Sequence, residues 1–297
     1  MPMNPRIASA TDSSRPPAAV AGAAVASASA DPGGASWVLL RGLSRESGHW
    51  GVFPEHLLRE LRALQPQSQL VMLDLPGNGA LRRQASPTQV SAIVDACRAE
   101  LQRRGVKGPV SLVGMSLGAA VLSDWANRYP GEVDAGVLIN PSLRPFSELF
   151  RRPRPLNYLG LLLLSLSRFS ARLREERVLM MTTRLTSPQT VIDRWVELQR
   201  QHPLGVRNTA RQLLASMRYR ASRTRPSAPM LLLCSKADSL VDWRCSQAIS
   251  RAWGAPLRLH TKAGHDLPLD DPQWVAGAVA DWLRDRSLQG VGPGEWH

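Results

Sequence analysis

Cysteine is scarce, with three in 297 residues, at Cys97, Cys234 and Cys245. These have neither the even number of a bridged framework nor the paired spacing of a zinc site. A disulfide scaffold is therefore excluded, and buried thiols in a reducing, cytoplasmic setting are expected. No metal and no cofactor is implied. Long apolar runs are also missing. The stretch Leu159–Leu166 falls far short of the roughly 18 apolar residues of a membrane span. No nucleic-acid motif accompanies the formal charge of +13, so no nucleic-acid partner is expected. The first 35 residues lack hydrophobic periodicity and are rich in Ala, Ser and Pro, which predicts a disordered tail. Within it, Ala18–Ala30 imitates a signal peptide, but alanine is a feeble apolar segment and Asp12 interrupts the preceding region. Cytoplasmic residence is thus expected ahead of secretion.

Lysine is absent from residues 141–228, which hold 17 Arg against 5 Asp and Glu, while the rest of the chain is nearly neutral with 20 basic and 19 acidic residues. Such a basic segment is either solvated surface or a site for an anionic partner, namely an acidic carrier, an acidic protein or an anionic lipid surface.

Outside that segment short apolar strands alternate with helical patterns. Strands are predicted at Ser36–Leu40, Gln69–Asp74, Val110–Met115, Ala135–Ile139, Met230–Cys234 and Leu257–His260. Helices are predicted at Trp50–Leu64, from Ser86-Pro87 to about Arg104 with Ser86 as its cap, after Ser116, at Trp243–Trp253, and from Pro272 to about Arg284, capped by Asp270 or Asp271. This alternation predicts a mostly parallel sheet with helices on both faces, built from residues 36–142 and 228–290. Between them, residues 143–227 show helical patterns without strands, including Gln189–Gln201 and Val206–Met217, and are read as an Arg-rich helical cap inserted over the strand C-termini.

The chain is organised around Val110-Ser111-Leu112-Val113-Gly114-Met115-Ser116-Leu117-Gly118-Ala119-Ala120. A strand that ends in Gly-x-Ser-x-Gly and passes directly into a helix is the sequence form of a nucleophile elbow. The motif alone is weak, since about 0.1 chance matches are expected in a chain of this length, so the remaining machinery must be present too. A nucleophilic serine needs a base, and the base needs an acid to hold its tautomer, in the chain order nucleophile, acid, histidine. Of six histidines only His265 follows a strand end and precedes the last helix. Asp238, in the loop after Leu231–Cys234, is the chosen acid. Asp242 is the reserve, with a competing reading as a helix cap. Leu117 N–H and Leu43 N–H are assigned as oxyanion donors, with Gly42 allowing a tight bend in the loop Arg41-Gly42-Leu43 after the first strand.

With those residues in place the chain resembles the α/β-hydrolase superfamily, in particular its lidded single-domain serine carboxylesterases and thioesterases. The resemblance covers roughly residues 34–288 and rests on the elbow, on Asp74-Leu75-Pro76-Gly77-Asn78-Gly79, on Asp238 and on Gly264-His265-Asp266. A serine nucleophile sets it apart from the dehalogenase and epoxide hydrolase branches, which use an aspartyl ester. Where many members carry His-Gly after the first strand, this chain has Arg41-Gly42, and Arg41 can either orient a nearby acidic group or pair with an anionic substrate. The resemblance implies an α/β-hydrolase fold and hydrolysis of a carboxylic ester or thioester through an acyl-enzyme, with Ser116, Asp238 and His265 catalytic. Arg41, Gly42, Met115 and Tyr158 are the candidate substrate contacts, and the leucine-rich run after Tyr158 either receives an acyl chain or packs on the core. The substrate expected is a small-molecule acyl ester or thioester, either free or on an anionic carrier. The competing readings are a lipase-like enzyme at a membrane surface and a non-catalytic binding module on the same fold.

Overall fold

β-Branched and leucine-rich runs form six parallel strands, β1 Ser36–Leu40, β2 Gln69–Leu73, β3 Val110–Met115, β4 Val133–Ile139, β5 Met230–Ser235 and β6 Leu257–His260, in the sheet order β2-β1-β3-β4-β5-β6. The computed structural model describes residues 35–146, 170–203 and 205–288. The helices, in chain order, are α1 Phe53–Leu64, α2 Val90–Arg103, α3 Leu117–Arg128, α4 Ala171–Thr182, α5 Pro188–Gln201, α6 Val206–Arg218, α7 Arg244–Trp253, the single turn α8 Leu267–Asp270, and α9 Pro272–Leu288.

The period of two along each strand divides the core. Val38 and Leu40 of β1, Leu112 of β3 and Leu232 of β5 pack with Ile93, Val94, Val121, Leu122, Ile249 and Trp253, from α2, α3 and α7. Trp37 and Leu39, Val113 and Met115, and Leu231 and Leu233 face the other way, onto Phe53, Leu57, Val275 and Val279 of α1 and α9. Both faces are covered, as a parallel sheet requires. The strand order reverses between β1 and β3, and a crevice opens at the carboxyl ends of strands at such a point. Ser116 sits at that end of β3.

Among the described residues, the chain between β4 and β5 holds only the helices α4, α5 and α6. Tyr158 and the leucine-rich run after it lie outside the described residues, as do the first 34. No described helix is long and apolar enough to cross a membrane.

The start of α2 differs from the sequence expectation, and the cap of α9 is decided between its two candidates. α2 begins at Val90, not at Pro87, because the Ser86 backbone is already engaged: its N–H donates to Asn208 Oδ1 (3.0 Å) and its carbonyl accepts from Arg211. Of the two candidate caps for α9, Asp271 accepts the Trp274 N–H (3.0 Å), whereas Asp270 is turned to other partners, and the helix continues to Leu288.

Candidate active site

Ser116 adopts φ 54° and ψ −112°, a left-handed conformation that costs a non-glycine residue of order 1 kcal/mol or more. The turn persists because its surroundings hold it. Its N–H donates to the Ile139 carbonyl (3.0 Å), and its carbonyl accepts the Ala119 N–H (3.0 Å) as α3 begins. Strand and helix cross so closely that a Cβ on Gly114 would collide with the Gly118 carbonyl, and one on Gly118 with the Leu40 carbonyl. Gly42 has a related role and not the one expected of it. Its φ is not left-handed, and Ser44, at φ 56°, makes the bend instead. A Cβ on Gly42 would lie 3.2 Å from Ser116 Cβ and 3.7 Å from its Oγ, so glycine lets this loop rest on the serine. Leu43 follows in that loop, and Leu117 opens α3.

The acid and the histidine meet. His265 Nδ1 lies 2.7 Å from Asp238 Oδ2, with the two side chains 6% and 1% exposed. The other carboxylate oxygen accepts the N–H groups of Leu240 (2.7 Å) and Val241 (3.0 Å), which fixes its orientation. With a carboxylate accepting, Nδ1 carries the proton and Nε2 is left as the basic nitrogen. Burial by itself would push the imidazole's pKa down, but Asp238, aided by Asp266 and opposed by Arg41, holds it above the ordinary 6.5. Asp242 instead accepts the Arg244 N–H (2.8 Å) at the start of α7, the capping alternative.

The sequence reading passed over Asn140. It ends β4 in a left-handed conformation (φ 47°), where Nδ2 donates to the His265 carbonyl (2.7 Å) and Oδ1 accepts the Ser235 N–H (3.0 Å). The available signal was an amide at a strand end where no carboxylate stands.

Arg41 is 2% exposed, and its fork holds Asp266 at 3.0 and 2.6 Å. Nη1 also contacts Met115 Sδ (3.4 Å), and the guanidinium stacks over Trp50 at 4.7 Å. Of the two roles left open by the sequence, orienting a nearby acid is the geometry present.

Polar contacts join the helices after β4 to these loops. The α4 terminus packs on the histidine loop, where Thr182 carbonyl accepts the Asp266 N–H (2.8 Å) and stands 2.5 Å from where a Gly264 Cβ would be. Asp270 accepts four N–H groups, from Gly264, Arg184, Leu185 and Thr186 (2.6–3.0 Å). Gln212 of α6 spans the Ser44 N–H (2.9 Å), the Pro76 carbonyl (3.1 Å) and Asn78 Oδ1 (2.9 Å). Arg45 pairs with Glu175 (2.7 Å) over the Trp195 ring, and Glu46 with His202 (2.5 Å).

A family model described as the alpha/beta hydrolase family matches residues 37–278, which include every one of these loops. The chain belongs to the alpha/beta hydrolase family. Among curated proteins this hydrolase is 28% identical over 265 residues to the "Putative carbamate hydrolase RutD" of Cronobacter turicensis, covering 82% of this chain and 88% of that one. It is 28% identical over 258 residues to the biotin biosynthesis bifunctional protein BioHC of Cellvibrio japonicus, where the match covers 82% of this chain and 47% of the relative. A thermophilic esterase from Thermogutta terrifontis shares its fold, with TM-score 0.65 and 18% identity over 84% of this chain and 90% of the esterase.

Proposed function

We propose that this hydrolase cleaves carboxylic esters or thioesters through an acyl-enzyme, with Ser116 as nucleophile, His265 as general base and acid, and Asp238 holding the imidazole. The observation that carries the reading is the 2.7 Å His265–Asp238 contact, buried at the same end of the sheet as a serine in left-handed strain. Nε2 of His265 takes the Ser116 proton as Oγ attacks the carbonyl. The N–H groups of Leu117 and Leu43 receive the oxyanion, and the imidazolium then protonates the leaving alcohol or thiol. Water, activated by the same base, frees the acid and regenerates the serine.

One relative bears the name "Putative carbamate hydrolase RutD", in keeping with hydrolysis at a carbonyl, and the basic character of residues 141–228 suits a substrate carried on an anionic group. Three cysteines used as buried residues fit a reducing, cytoplasmic compartment. The test is a fluorophosphonate probe followed by peptide mapping. Labelling at Ser116, lost in Ser116→Ala and in the heat-denatured protein, is expected, and labelling that survives Ser116→Ala overturns the assignment. Chain-length series of p-nitrophenyl, coenzyme A and carrier-protein acyl substrates then identify the acyl and leaving groups.

A further inference from the structure

Asp238 is one of two carboxylates near the imidazole of His265. The other is Asp266, the next residue in the chain, and with 3% of its surface exposed it is screened little by water. Two buried carboxylates together would hold the imidazole protonated, and a base that already carries its proton cannot take one from Ser116. Arg41 stands against the second of them. Its two nitrogens grip both Asp266 oxygens, and the same guanidinium touches Met115, the residue before Ser116. Arg41 is itself followed by Gly42, which rests on the serine. One cation therefore joins the chain neighbours of the nucleophile, of the base and of the proposed oxyanion donor Leu43.

Stability does not account for this arrangement. A buried ion pair is often no better than apolar residues of the same volume, because taking both charges out of water offsets their attraction. Here Arg41 Nε is in addition buried without a hydrogen-bond partner. Apolar alternatives would also suit the surroundings, since Trp50 and Met115 already line the site.

We propose that Arg41 is a positioning residue of the acyl-transfer reaction, which locks the loops of Ser116 and His265 together and cancels the charge of Asp266 beside the imidazole. The proposal deepens the reading of the site as a serine esterase and rests on it. Among the described residues, the charged groups that act on His265 are Asp238 from the loop after β5, Asp266 on its own loop, and Arg41 from the end of β1. Two neutral groups also hold this loop, Asn140 after β4 on the His265 carbonyl and, from α4, the Thr182 carbonyl on the Asp266 N–H. Asp270 of α8 faces backbone N–H groups.

The signs follow. Arg41→Met exposes the imidazole to an uncompensated Asp266, so its titration moves to higher pH, by about one unit. Asp266→Asn leaves the cation without its carboxylate, so the titration moves down. The double variant Arg41→Met/Asp266→Asn returns it toward the wild-type value. Arg41→Lys keeps a charge but cannot span both oxygens, so its titration stays near wild type while the plateau rate drops, by roughly 100-fold if the loops shift by about 1 Å.

Two measurements decide. One is the pH dependence of the rate of Ser116 labelling by a fluorophosphonate. The other is the NMR titration of the histidine resonance that disappears in His265→Gln. Opposite shifts in the two single variants, with compensation in the double, support the proposal. Equal titrations in all variants, with loss only of melting temperature, overturn it and leave Arg41 a structural residue. Should Arg41→Met not fold, Asp266→Asn and Arg41→Lys still decide, because an unmoved titration in Asp266→Asn is sufficient to overturn it. A wild-type protein that the probe does not label refutes the esterase reading alone, since the NMR titration still reports on Arg41 and Asp266.

Discussion

Side chains of the sheet alternate between two apolar clusters, whereas α4, α5 and α6 meet the strand-end loops through carboxylates, amides and ion pairs. The first arrangement is non-directional and sums over area, so it holds the sheet firmly without specifying any single atom. The second depends on donor and acceptor geometry and fixes register more than it adds stability. The helices also make apolar contacts, with Ile192, Trp195 and Leu198 of α5 packing on Leu179 of α4, Met181 of α4 on Leu240 and Val241, and Ala215 of α6 in a sheet cluster, while His202 after α5 reaches Glu46. The lesson is that Ser116, Asp238 and His265 stand at the ends of strands packed on an apolar platform, while the helices after β4 are registered to the neighbouring loops by polar contacts, each of which a single substitution can remove.

The largest effect should appear on the platform. Asp238→Asn leaves the fold intact but allows the wrong imidazole tautomer, and kcat should fall about 10⁴-fold, as measured on whichever ester proves a substrate. If Asp242→Asn produces that loss instead, the acid has been misassigned.

The pH profile comes next. Because His265 is held above 6.5 and must be neutral to act, kcat/KM should lose about tenfold per pH unit below an acid limb that lies above 6.5. Stability should run the other way. A raised imidazole pKa contributes stability that is present below 6.5 and lost as pH rises through the folded value, so thermal melting across neutral pH should fall as activity rises. A limb well below 6.5 would mean that the imidazole is not the titrating base.

Polar registration of the helices after β4 and the charge of residues 141–228 give smaller effects. Replacing Arg151, Arg152 and Arg154, which belong to the basic segment of the sequence and lie outside the described residues, with Gln should lower kcat/KM toward an acyl-carrier substrate by about tenfold at low salt, the effect vanishing near 0.15 M as the field is screened within roughly 8 Å, while a small neutral ester is unaffected. Equal loss on both substrates would make the segment structural. Asp270→Ala strips four N–H groups of their acceptor and should cost about 2 kcal/mol in chemical denaturation, with limited proteolysis cutting first near residues 184–186. Uniform protection would show that apolar contacts alone dock α4. The smallest change is Asp242→Asn, at most about 1 kcal/mol from a weakened cap and no change in rate.

Much of this molecule was legible in one dimension, because the features concerned are local. Strand and helix periods, the Gln189–Gln201 pattern of α5 and the Gly-x-Ser-x-Gly crossing depend on residues within a few positions of one another. Chain order then named Ser116, Asp238 and His265 from a small set of candidates. What escaped the sequence is whatever depends on a partner far along the chain. Ser86 looks like a helix cap until Asn208, 122 residues away, claims its N–H. Asp270 and Asp271 are equal candidates as caps until Arg184 and its neighbours take the first. Gly42 reads as a flexible bend, yet it is glycine because Ser116 lies against it. Asn140 carries no motif, and its use comes only from standing between Ser235 and His265. Arg41 offered two roles of equal chemical merit, and only the fold, by setting Asp266 beside it across 225 residues, chose between them. A residue's own chemistry states what it can bond, whereas long-range packing determines what it meets.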